Sequence, residues 1–406
     1  MIRVLHLTAD ANGGAGVAAA RTVAALRQAG MDAELRTGEM MGRSGKWLSR
    51  LDSLPHRLFW RKNFFTAWSN AWLGGCVADE INSSAPDLVH LHWVGGGFMA
   101  PGEFSRIKAP LVWSMHDLWA LTGGCHYPAD CERYKGECGD CPQLGLPAMY
   151  DLSGYNHRRK KAGLKHVRRL VAPSEWIGGL ARCSGLIEAG RVTVIPNTLD
   201  MEVFTDARRV AARRRMGFSQ KELLISVGSL DLSEVRKGNR LLPSVLSAWR
   251  AADRDSRARL LVFGAKTIPA IDVPGLEVVP TGLLARPEQM ADVLSAADVF
   301  LLPSLQDNLP NVAIEAQACG CPVVGFDSGG LREIIEHGST GWLAAEKTAR
   351  CLGEALAAYT RERLPERDVT GAKCRARALA LYGHEKHAED LIRLYRELIH
   401  STKSGS

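Results

Sequence analysis

Asp307 and Glu315 are two acids with seven residues between them, and the run Asn308, Leu309, Pro310 and Asn311 reads as a turn ahead of a helical stretch opening at Val312. That spacing puts one carboxylate on a loop and the other about a turn into a helix. The first N–H groups of a helix have no partner inside it, so they can receive sugar hydroxyls or a phosphate. A carboxylate facing the same space can take both hydroxyls of a ribose through charge-assisted bonds. An acid at Glu315 is also what the helix dipole favours early in a helix, so the spacing alone leaves both readings open.

Trp113-Ser114-Met115-His116-Asp117 places a His-Asp pair at the end of an apolar run. An open parallel sheet presents its ligand-binding groups there. His92 ends the preceding apolar run and is a candidate for the acceptor side, with Asp117 as the neighbour of His116. Asn12-Gly13-Gly14-Ala15-Gly16 follows the first apolar run and opens a helix at Val17. Glycine at such a connection permits a tight turn and close approach of a ligand, although any strand-to-helix turn favours it. The turn is not the full GxGxxG dinucleotide fingerprint.

Four cysteines, Cys125, Cys131, Cys138 and Cys141, fall within seventeen residues, and the last two form a Cys-x2-Cys pair. Cytoplasmic chains seldom keep disulfides. Four thiolates around Zn²⁺ would pin such a loop and leave no open position for chemistry; disulfides and free thiols are the alternatives. Cys76, Cys183, Cys319, Cys321, Cys351 and Cys374 are scattered and read as buried small residues.

These residues need a frame, and the frame is α/β. The chain has 406 residues, 46% of them hydrophobic and 23% charged, which suffices for two globular domains and excludes a disordered chain. Apolar runs at Val4–Thr8, Ala33–Arg36, Leu88–Leu91, Leu111–Met115 and Leu170–Ala172 alternate with helical patterns, the first over Val17–Ala29. The rhythm restarts at Leu223–Val227, Arg259–Phe263, Leu276–Val279, Val299–Leu302 and Pro322–Phe326, with helices over Glu288–Ala296 and Val312–Ala318. Parallel sheets covered on both faces follow from this alternation. The expected division is 1–190, carrying the Cys-rich loop 122–142, then 191–383. A closing amphipathic helix within 384–400 packs back on the first domain.

The start of the chain lacks the layout of a signal peptide, and no apolar run is long enough to span a bilayer. A cytoplasmic protein is the expectation. Net charge is a mild +7. Arg43, Lys46, Arg50, Arg57, Arg61 and Lys62 are interleaved with Trp47, Phe59, Trp60, Phe64, Phe65 and Trp68, which suits contact with the inner face of an anionic membrane or an ordinary surface helix. The basic run Arg158, Arg159, Lys160, Lys161, Lys165, Arg168 and Arg169 has no aromatic platform and reads as a solvated helix face, with no nucleic-acid partner.

The segment LLPSLQDNLPNVAIEAQACGCPVVGFDSGG, from Leu301 to Gly330, resembles the E-x7-E segment of retaining glycosyltransferases of family 4. His116-Asp117-Leu118-Trp119, Thr122-Gly123 and the cysteines ending in Cys141-Pro142 are similar to the colanic-acid and exopolysaccharide branch of that family. The resemblance covers essentially the full length. It implies the GT-B fold, two Rossmann-like domains with doubly wound parallel sheets facing across a cleft.

It also implies roles. Glu315 would bind the nucleotide ribose and Asp307 would lie beside the donor sugar, with Asn308, Leu309, Pro310 and Asn311 between them; the shorter Asp replaces the family's first Glu. Val227-Gly228-Ser229-Leu230 followed by Arg236-Lys237-Gly238 resembles the strand-loop that holds the donor diphosphate. Lys237 matches the family's Lys, whereas Ser229 stands where the family has Arg, so Arg236 would supply that charge. Gly13 and Gly14 would line the cleft near the diphosphate, and His116 would contact the donor sugar. The helix start after Gly329 and Gly330 would add N–H groups to the leaving diphosphate.

The implied reaction moves a hexosyl-type unit from a UDP-, GDP- or ADP-sugar to a hydroxyl of a saccharide, lipid-linked, with retention and without a catalytic metal. A nucleotide-sugar epimerase or a phosphorylase would use the same kind of domains. A non-catalytic nucleotide-sugar-binding protein is the third reading, suggested by Ser229 and Asp307.

Overall fold

A computed structural model describes residues 2–41, 49–54, 65–74, 77–145, 151–228, 234–264 and 271–403. The chain divides into two compact units, Met1–Thr198 with His384–Ser406, and Leu199–Gly383.

In the first unit β1 (Arg3–Thr8), β2 (Asp32–Thr37), β3 (Leu88–Leu91), β4 (Leu111–Ser114), β5 (Val167–Ala172) and β6 (Val192–Val194) form one sheet in the order β2-β1-β3-β4-β5-β6. Every pairing is parallel. Side chains alternate between faces along each strand. Leu5, Leu7, Val89, Leu91, Leu111 and Trp113 enter one core, and Val4, Leu88, Val112 and Val171 enter the other. The helix His384–Lys403 covers the second face with Leu391, Leu394, Tyr395, Leu398 and Ile399, spaced to lie along one side of a helix. It thus belongs to the first unit.

In the second unit β7 (Leu223–Gly228), β8 (Ala258–Phe263), β9 (Leu276–Gly282), β10 (Val299–Leu302), β11 (Val323–Phe326) and β12 (Gly341–Ala344) are ordered β12-β11-β10-β7-β8-β9, again all parallel. Leu224, Leu261, Phe300 and Val323 fill one face, and Ile225, Leu260, Leu301 and Val324 the other.

Two strands were not expected from the sequence, β6 and β12. Both are short edge strands, three and four residues long, and carry too few positions for an alternation to show. Because β6 pairs with β5, the first unit runs to Thr198 rather than to residue 190. No helix among the described residues is long and apolar enough to cross a membrane. Of the basic-aromatic stretch, Arg43, Lys46, Trp47, Arg57, Phe59, Trp60, Arg61, Lys62 and Phe64 lie outside the described residues, as do Cys76 and Ser229.

Two expectations about surface change. The run from Arg158 to Arg169 is not one solvated face, because Lys160 is buried, Arg159 bonds the Ala71 carbonyl and Arg169 pairs with Glu397. Among the scattered cysteines Cys319, Cys321 and Cys374 are buried, but Cys183 is exposed and Cys351 half-buried.

Candidate active site

In each sheet the chain winds outward to one edge and then returns to the other side of its first strand. The reversal lies between β1 and β3 in the first unit and between β7 and β10 in the second. At such a switch point the connecting loops leave in opposite directions and open a crevice at the carboxyl ends of the strands. The candidate residues cluster at these two places, each within its own unit.

In the second unit Asp307, on the loop after β10, accepts Lys237 Nζ at 2.7 Å and lies 3.1 Å from Arg236 Nη1. Both cations come from the turn Val235–Lys237 that follows β7. Burial by itself would raise the Asp307 carboxyl, but the two cations outweigh it and hold its pKa down at about 2. The group is therefore a fixed anion.

Two glycines bring these loops together. Gly238 has φ 66°, and a Cβ there would sit 1.9 Å from the Pro303 carbonyl oxygen. Gly329, after β11, has φ 61°, and its Cβ would lie 1.8 Å from the Asp307 carbonyl oxygen. No side chain can be accommodated at either contact. Three loops from three adjacent strands are thus clamped around one carboxylate.

Arg236 does not offer an open fork, which corrects its reading as a diphosphate ligand. It is 7% exposed, and it binds Glu234 at 2.9 and 3.0 Å and the Gln306 carbonyl at 2.9 Å in addition to Asp307. Lys237 is more open, with 23% of its side chain exposed. Gly228 answers to packing, since a Cβ there would meet the Phe263 ring at 2.2 Å. The Gly330 N–H, expected to face a leaving group, instead donates to the Asp307 carbonyl at 3.1 Å, and the helix after it has only four residues.

Glu315 is 7% exposed on the helix Asn311–Ala318, whose N-cap is Pro310. Pro310 itself makes no side-chain cap bond, and Asn308 and Leu309 beside it are buried. Sequence reading passed over three further residues. Asn239 Nδ2, Ser304 Oγ and Gln306 Oε1 are buried polar atoms of these same loops without a hydrogen-bond partner among the described residues. Buried polar atoms are nearly always satisfied, so three orphans on neighbouring loops point to a polar ligand or water. Their types are common in loops, so only the fold marks them.

In the first unit β1, β3 and β4 carry a chain of histidines. His116 Nε2 lies 2.9 Å from His92 Nδ1, and His92 Nε2 lies 3.0 Å from His6 Nδ1. His90, alongside, bonds Tyr395 Oη at 2.5 Å and Ser114 Oγ at 2.8 Å. Burial drives the His116 pKa down to about 4 and that of His6 to about 3, and it takes His90 and His92 well below the ordinary range. The imidazoles are neutral near pH 7.

His92 is 2% exposed, which corrects its reading as an acceptor contact: it stands behind His116. Asp117 is corrected in the same way. One oxygen accepts His126 Nδ1 at 2.8 Å and the other the Trp119 N–H at 2.8 Å, so it anchors the following loop. His6 escaped the sequence reading because a lone histidine inside a strand has no signature. Gly13 caps the helix Gly14–Gln28, and a Cβ on Gly13 or Gly14 would meet nothing within 4 Å. The glycine that this turn requires is Gly16, whose Cβ would lie 2.2 Å from the Asp10 carbonyl oxygen.

Comparison with known proteins adds the chemistry. Residues 12–203 match the family model "Glycosyltransferase Family 4", and residues 221–361 match "Glycosyl transferases group 1". The chain is 27% identical over 344 residues to D-inositol 3-phosphate glycosyltransferase of Rhodococcus jostii, covering 80% of this chain and 70% of that one. It is 24% identical over 296 residues to the putative colanic acid biosynthesis glycosyl transferase WcaC of Escherichia coli, covering 71% and 68%. Among solved structures it resembles sucrose-phosphate synthase from Thermosynechococcus elongatus, with TM-score 0.69, 18% identity and coverage of 99% and 100%. Anabaena HepE in complex with UDP and glucose gives TM-score 0.61, 16% identity and coverage of 97% and 99%. Both likenesses are to GT-B folds.

Proposed function

We propose, for a chain that belongs to the family-4 glycosyltransferases of the GT-B fold, transfer of a sugar from a nucleoside diphosphate sugar to a hydroxyl of a saccharide acceptor with retention of anomeric configuration. The observation that carries the reading is the clamped Lys237–Asp307–Arg236 cluster at the switch point of the second sheet.

Lys237 is the partly open cation of that cluster and meets the diphosphate. As the bond to the sugar breaks, negative charge grows on the departing phosphate, and a cation already in place stabilises it without reorganisation. Asp307 fixes where the ammonium sits. Locked between two cations, Asp307 is a poor nucleophile, and this favours attack by the acceptor on the face the diphosphate leaves over a covalent sugar–enzyme intermediate. Glu315 takes the ribose hydroxyls. The orphaned Ser304, Gln306 and Asn239 atoms complete the polar wall.

In the first unit the neutral His116 imidazole hydrogen-bonds the donor sugar, and His92 and His6 hold its ring and tautomer. Gly13 and Gly14 leave room for a ligand at the helix start. Among UDP, GDP and ADP donors, the HepE complexes with UDP and glucose favour a uridine diphosphate sugar. Likeness to the putative colanic acid biosynthesis glycosyl transferase WcaC supports a polysaccharide acceptor, which we propose is lipid-linked and used at the cytoplasmic face of the membrane.

The test is thermal unfolding with UDP, GDP and ADP, followed by acceptor-dependent release of the diphosphate. A nucleotide at a hundred times its Kd stabilises the folded chain by about 2.7 kcal/mol. If none of the three shifts unfolding, or if donor sugars interconvert without an acceptor, the reading fails.

A further inference from the structure

Among its described residues the loop between β4 and the helix Leu152–Leu164 contains little regular structure beyond the turn Arg133–Lys135, yet Cys125, Tyr127, Tyr134, Cys141 and Leu144 in it are buried. Connections of this length without their own fastening are uncommon in compact domains. Its four cysteines line one cavity of about 20 Å³, together with Trp68 and Tyr134. That is room for one or two water-sized spheres.

Beside the cavity lies Lys160, 1% exposed, whose Nζ donates to the carbonyls of Trp119 at 2.6 Å and Thr122 at 3.0 Å and lies 3.9 Å from the centroid of the Trp119 ring. No carboxylate lies within ion-pair distance of it among the described residues. An ammonium buried without an anion is costly, and burial pushes the Lys160 pKa down to about 7; Cys125, Cys138, Asp117 and Asp52 act against that shift.

We infer that Cys125, Cys131, Cys138 and Cys141 bind one structural zinc ion, with Lys160 as the buried counter-charge of the tetrathiolate. One Zn²⁺ displaces four thiol protons to solvent, and the resulting Zn(S-Cys)4 unit carries a net charge of −2, which Lys160 halves. Soft thiolates with a d¹⁰ ion prefer tetrahedral coordination, and four protein ligands leave no position for a substrate.

Among the described residues only His6, His90 and His92 bring three ligand atoms within 4.8 Å of one another, so the sulfurs must close in by side-chain rotation on binding. In the histidine set five of the six nitrogens are bonded to each other or to His116, Tyr395 and Ser114, and among the described residues only His6 Nε2 has no partner.

The experiment is elemental analysis of the full chain purified without added chelator, with thiol counting before and after denaturation. About one zinc per chain is expected, with the four thiols slow to alkylate until a chelator removes it. Cobalt exchange should give the intense thiolate-to-cobalt absorption of a tetrahedral site. Cys138→Ser should lose the metal and Cys351→Ser should keep it. Should Cys138→Ser fail to fold, Lys160→Met provides the second arm, with zinc affinity lowered at least ~10-fold. Metal-free chain with four alkylatable thiols, disulfides among these cysteines, or iron in place of zinc would each overturn the inference.

Discussion

Lys237 and Asp307 lie 2.7 Å apart, and their pairing decides what each can do. The ammonium is held where a leaving diphosphate needs it, so its removal should act on the transition state more than on the ground state. Lys237→Ala is expected to lower kcat by roughly 10²–10³ with a much smaller loss of donor affinity. Equal losses in kcat and in Kd would remove Lys237 from this role. His92 works through His116 rather than on substrate. His92→Phe should lower kcat about tenfold, one hydrogen bond's worth, with KM for the donor nearly unchanged. His92→Asn, which can restore a hydrogen bond at the Nδ1 position, should recover most of it. If the Asn and Phe variants are equally impaired, the hydrogen bond to His116 is not what matters.

At the level of elements, the loops after β7, β10 and β11 act as one piece because Gly238 and Gly329 let backbones touch. The residues named by spacing, Asp307 and Glu315, sit on the loop after β10 and the helix behind it, as their pattern implies. What spacing could not supply is that Arg236 turns inward to Glu234 and Asp307. Gly238→Ala is expected to destabilise the chain by more than ~1–2 kcal/mol, since the left-handed backbone and the Pro303 contact are both lost. Gly13→Ala, with nothing within 4 Å of the new methyl group, should leave the melting temperature almost unchanged. Comparable melting temperatures for the two variants would show that the clamp carries no strain.

For the molecule as a whole, six imidazoles of the first unit, His6, His90, His92, His116, His157 and His387, are depressed, in each case first by burial. The unfolded chain therefore binds more protons than the folded one as pH falls below 6.5. Stability is full above that value and is lost on the way down toward 4, with a limiting slope of about 1.4 kcal/mol per pH unit for each histidine. Denaturant midpoints of the full chain should fall steeply between pH 7 and pH 5; a flat response would mean that these rings do not stay neutral. The alternation of apolar runs, the two units, the closing helix and the acids 307 and 315 were legible in the sequence, because periodicity and local spacing are properties of neighbouring residues. The engagement of Arg236, the burial of His92 and Lys160, the chain from His116 to His6 and the gathering of four cysteines around one cavity were decided only by tertiary structure. These depend on which strands lie side by side, and strand order is set by packing across the sheet, far from any single stretch of sequence.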